Sequence, residues 1–301
     1  MLLIVAAIWG SGFVAQKAAM DHMGPLAFTA IRYIIGAALL ALLFLHPARR
    51  KVITLRTISA GALLGIIMAA AASAQQIGIV TTTASRAGFI TGLYVLGVPA
   101  IGLLFGQKSH LGHLIGAVLA AVGLWLLAGD LSGGIRTGDL WVLLCAALWA
   151  VHVVLVAHLA PKADAIGLAF IQFLVVAVIA LALVAVAQAG LLDPVGLGEN
   201  FSWASLASAK WAVLYSGVFA IGLAFTLQIV AQKDAPATHA AVLMSLEAVF
   251  AATFGVLLLA ESLTRNEIIG CCLMLTGMLL SQLWPHKRTP EEKAELTDAV
   301  R

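Results

Sequence analysis

Runs of about twenty apolar residues recur along this chain from one end to the other, and they leave few folds open. A helix needs ~20 apolar residues to cross ~30 Å of hydrocarbon. Ten such stretches can be read: 2–20, 25–45, 55–77, 84–105, 111–128, 138–159, 165–187, 210–231, 237–259 and 265–284. Of 301 residues 62% are hydrophobic and 10% charged, whereas a soluble domain carries roughly 25% charged residues. A water-soluble fold of this make-up could not cover its own surface. The expected fold class is an all-α membrane protein with ten transmembrane helices and no separate soluble domain. The first stretch lacks a basic leader and a cleavage site, so it reads as a retained span and not as a signal peptide.

The basic residues give an orientation. With the amino terminus in the cytoplasm, the inner segments carry Arg49, Arg50, Lys51, Arg56, Lys108, Lys162, Lys233, Lys287, Arg288, Lys293 and Arg301. The outer ones carry only Lys17, Arg136, Lys210 and Arg265. This bias predicts both termini in the cytoplasm. A net charge of +3 spread in this way, without interleaved aromatics, excludes a nucleic-acid surface. Cys145, Cys271 and Cys272 lie inside apolar runs without metal-type spacing, so neither a disulfide framework nor a metal site is expected. The longest connection, 188–209, with Asp193, Pro194, Glu199 and Trp203, reads as a surface loop, and the charged tail 285–301 as disordered.

Two halves of the chain align. At an offset of 140, Trp9 meets Trp149 and Arg32 meets Gln172; at 154, Gly116 and Gly123 meet Gly270 and Gly277. This is five spans repeated once, with repeats expected over 1–128 and 138–284. Because five is odd, the second copy enters the membrane in the opposite sense, an arrangement found in secondary transporters. Those four glycines, and the pairs Gly61/Gly65, Gly88/Gly92 and Gly102/Gly106, have spacings that let helices pack closely.

Polar and aromatic residues inside spans are the candidate functional groups. Trp9 and Trp149 sit within spans at repeat-equivalent positions, where each either walls a central cavity or packs helix on helix. The same helix faces continue through Gly12, Phe13 and Gln16, and through His152, Val153 and Val156. Gln16 and His152 read either as interhelical hydrogen bonds or as contacts to a polar group. Glu247 is the one acid deep within a span. Burying a carboxylate there costs about 3 kcal/mol or more, so it either faces a wet cavity, binding an amine or a proton, or pairs with Arg32 or His239. Arg32 suits a carboxylate or a structural partner. Lys17 and Arg86, near span ends, are expected to snorkel to the interface. Gln75, Gln76, Gln172 and Gln228 are further polar groups, of which Gln76 and Gln228 are candidates to line the cavity. Pro99 favours a kink in the fourth span and is a candidate hinge.

The run Ile8-Trp9-Gly10-Ser11-Gly12-Phe13-Val14-Ala15-Gln16-Lys17, Pro25 with Ile31-Arg32-Tyr33, Ala87-Gly88-Phe89-Ile90-Thr91-Gly92-Leu93-Tyr94 with Pro99, Leu258-Leu259-Ala260-Glu261-Ser262-Leu263, and Glu267-Ile268-Ile269-Gly270 together resemble the EamA-type drug/metabolite transporters. The chain departs from that pattern at Gly12, Gln107 and Ala248. The resemblance, strongest to amino-acid exporters, implies two inverted five-helix repeats around a central cavity in a bacterial inner membrane. It implies alternating-access export of small amphipathic metabolites, aromatic or other neutral amino acids, driven by the proton gradient or by the substrate's own gradient, by a monomer without a cofactor. The substrate-binding set expected from these readings is Trp9, Phe13, Gln16, Tyr94, Trp149, His152, Gln228 and Glu247. Spans one to four and six to nine would enclose the cavity, with five and ten as braces. A channel or facilitator, or a broad exporter of drugs and toxic cations, is the alternative. The motifs of intramembrane hydrolases and ATP-driven pumps are missing, so no enzymatic activity is expected.

Overall fold

The computed structural model describes residues 1–46, 52–82, 84–104, 106, 111–127, 136–190, 199, 201–259 and 264–284. The helices are α1 (Leu2–Met20), α2 (Pro25–Leu43), α3 (Leu55–Thr81), α4 (Ala84–Gly92), α5 (Tyr94–Leu104), α6 (Leu111–Leu127), α7 (Thr137–Leu159) and α8 (Ala165–Gln188). Then follow α9 (Trp203–Tyr215), a π-helical segment Ser216–Phe225, α10 (Thr226–Gln232), α11 (Ala237–Met244), α12 (Glu247–Leu259) and α13 (Arg265–Leu283). There is no strand among the described residues. In lipid the backbone must satisfy its own hydrogen bonds, which these sequences do as helix.

Eight helical segments among the described residues are long and apolar enough to cross a bilayer, and two shorter apolar helices, Leu111–Leu126 and Ile268–Leu280, complete ten. Leucines, isoleucines and valines cover the outside: Val118, Val178 and Ile66 are more than half exposed. Trp125, Trp203 and Trp211 are exposed as well.

Glycines set the close crossings. A Cβ on Gly123 would lie 2.5 Å from the Gly270 carbonyl oxygen, and one on Gly277 would lie 2.7 Å from that of Gly116. These contacts are images of each other under the offset of 154, so α6 and α13 cross about the axis that relates the inverted repeats. Gly61 and Gly65 receive Ile171 and Val175 of α8, and Gly36 of α2 receives Ile221. Gly106 does not pack: its φ of 70° marks a turn beyond α5.

Three expectations are corrected. The fourth span is not one helix kinked at Pro99; it is interrupted at Leu93, and Pro99 lies inside α5. The ninth span is likewise broken, at Ser245–Leu246. At both breaks the backbone tightens to i→i−3 bonds, from Leu96 N–H to Leu93 and from Ala248 N–H to Ser245. Residues 203–209 are helix and not loop, because Ser202 and Ser205 form a reciprocal cap that starts α9. The Lys17 ammonium donates to the carbonyl oxygens of Ile79 (2.9 Å), Val80 (3.2 Å) and Thr82 (3.0 Å), closing the C-terminal end of α3.

Asp193, Pro194, Gln107, the basic residues Arg49, Arg50, Lys51 and Lys108, the Arg86 side chain and the tail 285–301 lie outside the described residues. Of the long connection, Glu199 has a defined place. Its carboxylate accepts from Leu26 N–H and Ala27 N–H, both at 2.9 Å. It thereby caps α2, which begins Gly24-Pro25 with no side-chain cap of its own.

Candidate functional site

The interior of the bundle holds a cavity whose empty space, counted with the open solvent at its mouth, is about 570 Å³. Trp9, Phe13 and Gln16 of α1, Arg32 of α2 and Gln75 of α3 line it, with Thr91 and Tyr94 from either side of the first interruption. From the second half come Trp149 and Val153 of α7, Ala220, Ile221 and Phe225 of the π-helical segment, Gln228 of α10, and Met244 and Glu247 flanking the second interruption.

The interruptions aim the chemistry. Tyr94 and Glu247 are the first residues of α5 and α12, and they stand 153 residues apart, as do Gln75 and Gln228. The cavity thus carries two pairs of repeat-equivalent polar side chains. A break inside a span is tolerated where the freed backbone lines a cavity and not lipid.

Arg32, 3% exposed, donates from Nη1 to Gln16 Oε1 at 3.0 Å. Its guanidinium carbon lies 5.1 Å from the Phe28 ring centroid and 5.5 Å from that of Tyr33. Such ring faces share a cation's charge in a dry setting. Glu247, also 3% exposed, is not paired with Arg32 or His239; its Oε1 has no hydrogen-bond partner. Arg32 Nε, the Tyr94 hydroxyl and Gln228 Oε1 are unpartnered too. Buried polar atoms are ordinarily satisfied; these four belong to cavity-lining residues, while others without a partner, such as Ser73 Oγ, Gln76 Oε1, Gln172 Nε2 and Ser216 Oγ, belong to residues away from the lining.

An aromatic cluster forms the apolar wall. Phe225 lies 4.5 Å from Trp9 and stacks on Trp149 at 5.4 Å and 24° between planes. Trp9 Nε1 donates to the Ala220 carbonyl at 3.2 Å. Ser11 meets the Tyr215 hydroxyl beside it, so α1 is fastened to the span that contains the π-helical segment.

Of the residues anticipated from sequence, Trp9, Phe13, Gln16, Arg32, Tyr94, Trp149, Gln228 and Glu247 come together at the cavity. His152 does not. It is fully buried behind Trp149, edge-on at 5.3 Å, and its Nε2 is bonded to Gln172 Oε1 at 3.1 Å. Gln76 does not line the cavity either; its amide donates to the Gln16 carbonyl at 3.4 Å, and its neighbour Gln75 takes the lining position. The seventh span, α8, was expected to enclose the cavity but contributes no lining residue. It supports the wall from behind, with Phe173 edge-on to Tyr33 at 6.0 Å and to Phe225 at 6.4 Å. Sequence reasoning missed Thr91, Ala220, Ile221, Phe225 and Met244, which have no signal of their own inside apolar runs.

The model of the EamA-like transporter family matches residues 1–129 and again 136–283. The chain belongs to the EamA-like transporter family. An uncharacterised transporter of Archaeoglobus fulgidus is 31% identical over 283 residues, which cover 94% of this chain and 84% of that one. The threonine/homoserine exporter RhtA of Salmonella typhimurium is 26% identical over 307 residues, covering 97% of this chain and 93% of that one. A solved crystal structure 20% identical to this EamA-like chain superposes with a TM-score of 0.72 over 94% of it and 95% of the other, a likeness of fold. The cavity therefore lies inside a multi-pass membrane transporter built as two inverted five-helix repeats.

Proposed function

We propose that this transporter exports neutral, amphipathic amino acids across a bacterial inner membrane by alternating access, with both termini in the cytoplasm. One observation carries the reading: the unpartnered polar atoms around the cavity are of two kinds, matching the two ends of a zwitterion. Arg32 Nε and the Tyr94 hydroxyl can donate, and Gln228 Oε1 and Glu247 Oε1 can accept. A substrate carboxylate would take the donors and an ammonium the acceptors, each forming charge-assisted bonds of about 1.5–3 kcal/mol. Phe13, Val153, Ile221 and Met244 supply apolar surface for the side chain. The amino-acid exporter among the relatives supports this choice of substrate class.

In this reading Leu93 and Ser245–Leu246 are the hinges, and Pro99 is not. Each half-helix pair turns about its break, carrying Tyr94 or Glu247 with it, and exposes the cavity to one side and then the other. Glu247 holds the substrate ammonium, or a proton when the site returns empty.

The test is counterflow of labelled amino acids in proteoliposomes, with a pH gradient imposed and removed. Saturable counterflow of neutral amino acids is expected, with Glu247→Gln slowing it by about tenfold or more, the loss of one charge-assisted bond. Flux that neither saturates nor shows counterflow would make the protein a channel. If Glu247→Gln left both rate and pH dependence untouched, the coupling role would be gone.

A further inference from the structure

Phe225 has a place in the cavity that its repeat counterpart does not share. Gln75 corresponds to Gln228 and Tyr94 to Glu247 at 153 residues, and at the same offset Phe225 corresponds to Ala72. Ala72 is fully buried in α3 and carries no ring. One half of the bundle therefore inserts an aromatic side chain where the other has a methyl group. The insertion sits at the last residue of the π-helical segment, a rare backbone form that changes which helix face meets a site.

The ring packs against the two groups best suited to hold a planar ligand. Trp9 and Trp149 are the repeat-equivalent tryptophans, and each is within stacking range of Phe225, at 4.5 Å and 5.4 Å. The Trp149 contact is near parallel at 24°, the geometry that a bound aromatic side chain would adopt. Phe225 also has the rings of Tyr33 at 6.5 Å and Phe173 at 6.4 Å beside it.

We infer that Phe225 is a size-determining residue: its resident ring packs against both Trp9 and Trp149 at the cavity wall and occupies their stacking surface, which restricts the substrate to neutral amino acids with small or aliphatic side chains and excludes aromatic ones. This rests on the amino-acid reading above and narrows it. With the tryptophan faces covered, a substrate side chain meets Ile221, Val153 and Met244 instead, surfaces that suit aliphatic groups.

Leucine and tryptophan counterflow in proteoliposomes, for the wild type, Phe225→Ala and Phe225→Leu, tests the inference. The wild type should carry leucine and not tryptophan. The Phe225→Ala variant should raise tryptophan transport by at least about tenfold, as expected when room in an apolar pocket changes by more than a methylene. Phe225→Leu keeps the packing volume closer and serves if the alanine variant does not fold. Wild-type transport of tryptophan equal to that of leucine overturns the inference, as does a folded variant that gains no tryptophan transport. If the wild type moves no amino acid at all, the earlier reading fails separately, and indole added to purified protein then decides. Indole should raise the melting temperature of the variants and leave the wild type unmoved; equal shifts, or none, overturn the inference.

Discussion

Arg32 and Glu247 were legible as functional candidates because a charge in hydrocarbon is expensive and must be explained. Phe225 and Gln75 were not. A phenylalanine in an apolar run is unremarkable by type, and the choice between Gln75 and Gln76 is one of helix face, which neighbouring spans settle. His152 shows the converse: its type drew notice, but its bond to Gln172 makes it a joint between α7 and α8. The Gln16–Arg32 bond joins α1 to α2 in the other half, and there the joint also faces the cavity. Glu199, which caps α2, carries a pH prediction. Burial pushes its carboxyl pKa up, and the Leu26 and Ala27 N–H groups oppose that only in part. A raised folded-state pKa means that the folded protein binds this proton more tightly than the unfolded chain does. Its contribution to stability is then complete below the ordinary carboxylate range and lost as pH rises through the raised value. Melting temperature followed against pH in detergent should show that decline, and Glu199→Gln, which has no proton to lose, should flatten it. An unchanged slope in the variant would assign the dependence elsewhere.

The ten crossings themselves were written in hydropathy, but the two internal breaks were not. Neither Leu93 nor Ser245–Leu246 carries a proline, and Pro99, which drew the expectation of a kink, lies six residues past the break it was meant to explain. Next to the second break, α1 comes so close that a Cβ on Gly10 would lie 2.5 Å from the Glu247 carbonyl oxygen and 2.7 Å from Phe250 Cβ. Neither group is the end of a flexible chain that could swing aside. Gly10→Val should therefore push α1 off α12, costing about 1–3 kcal/mol as overpacking does and displacing Trp9 from Phe225. A melting curve and the tryptophan emission spectrum check this. A variant with wild-type stability and spectrum would show that the approach is looser than the structure has it.

At the scale of the molecule, the repeat could be read from a few residues at fixed offsets, and the structure gives those matches physical form. Gly116 meets Gly277 and Gly123 meets Gly270, so α6 and α13 brace the bundle at its axis without touching the cavity. What one chain's hydropathy could not show is how the halves differ. Phe225 is answered by Ala72, and the acid Glu247 by the phenol of Tyr94. The second of these departures puts a carboxyl at the cavity in one half where the other half has a hydroxyl donor. The direct test is competition for a labelled neutral amino acid bound to the purified protein, using leucine, leucinamide and N-acetyl-leucine as competitors. Leucine alone should displace the label well, with the amide and the acetylated form each weaker by about tenfold or more, since each lacks one charged end. Equal displacement by all three would contradict recognition of both ends of a zwitterion.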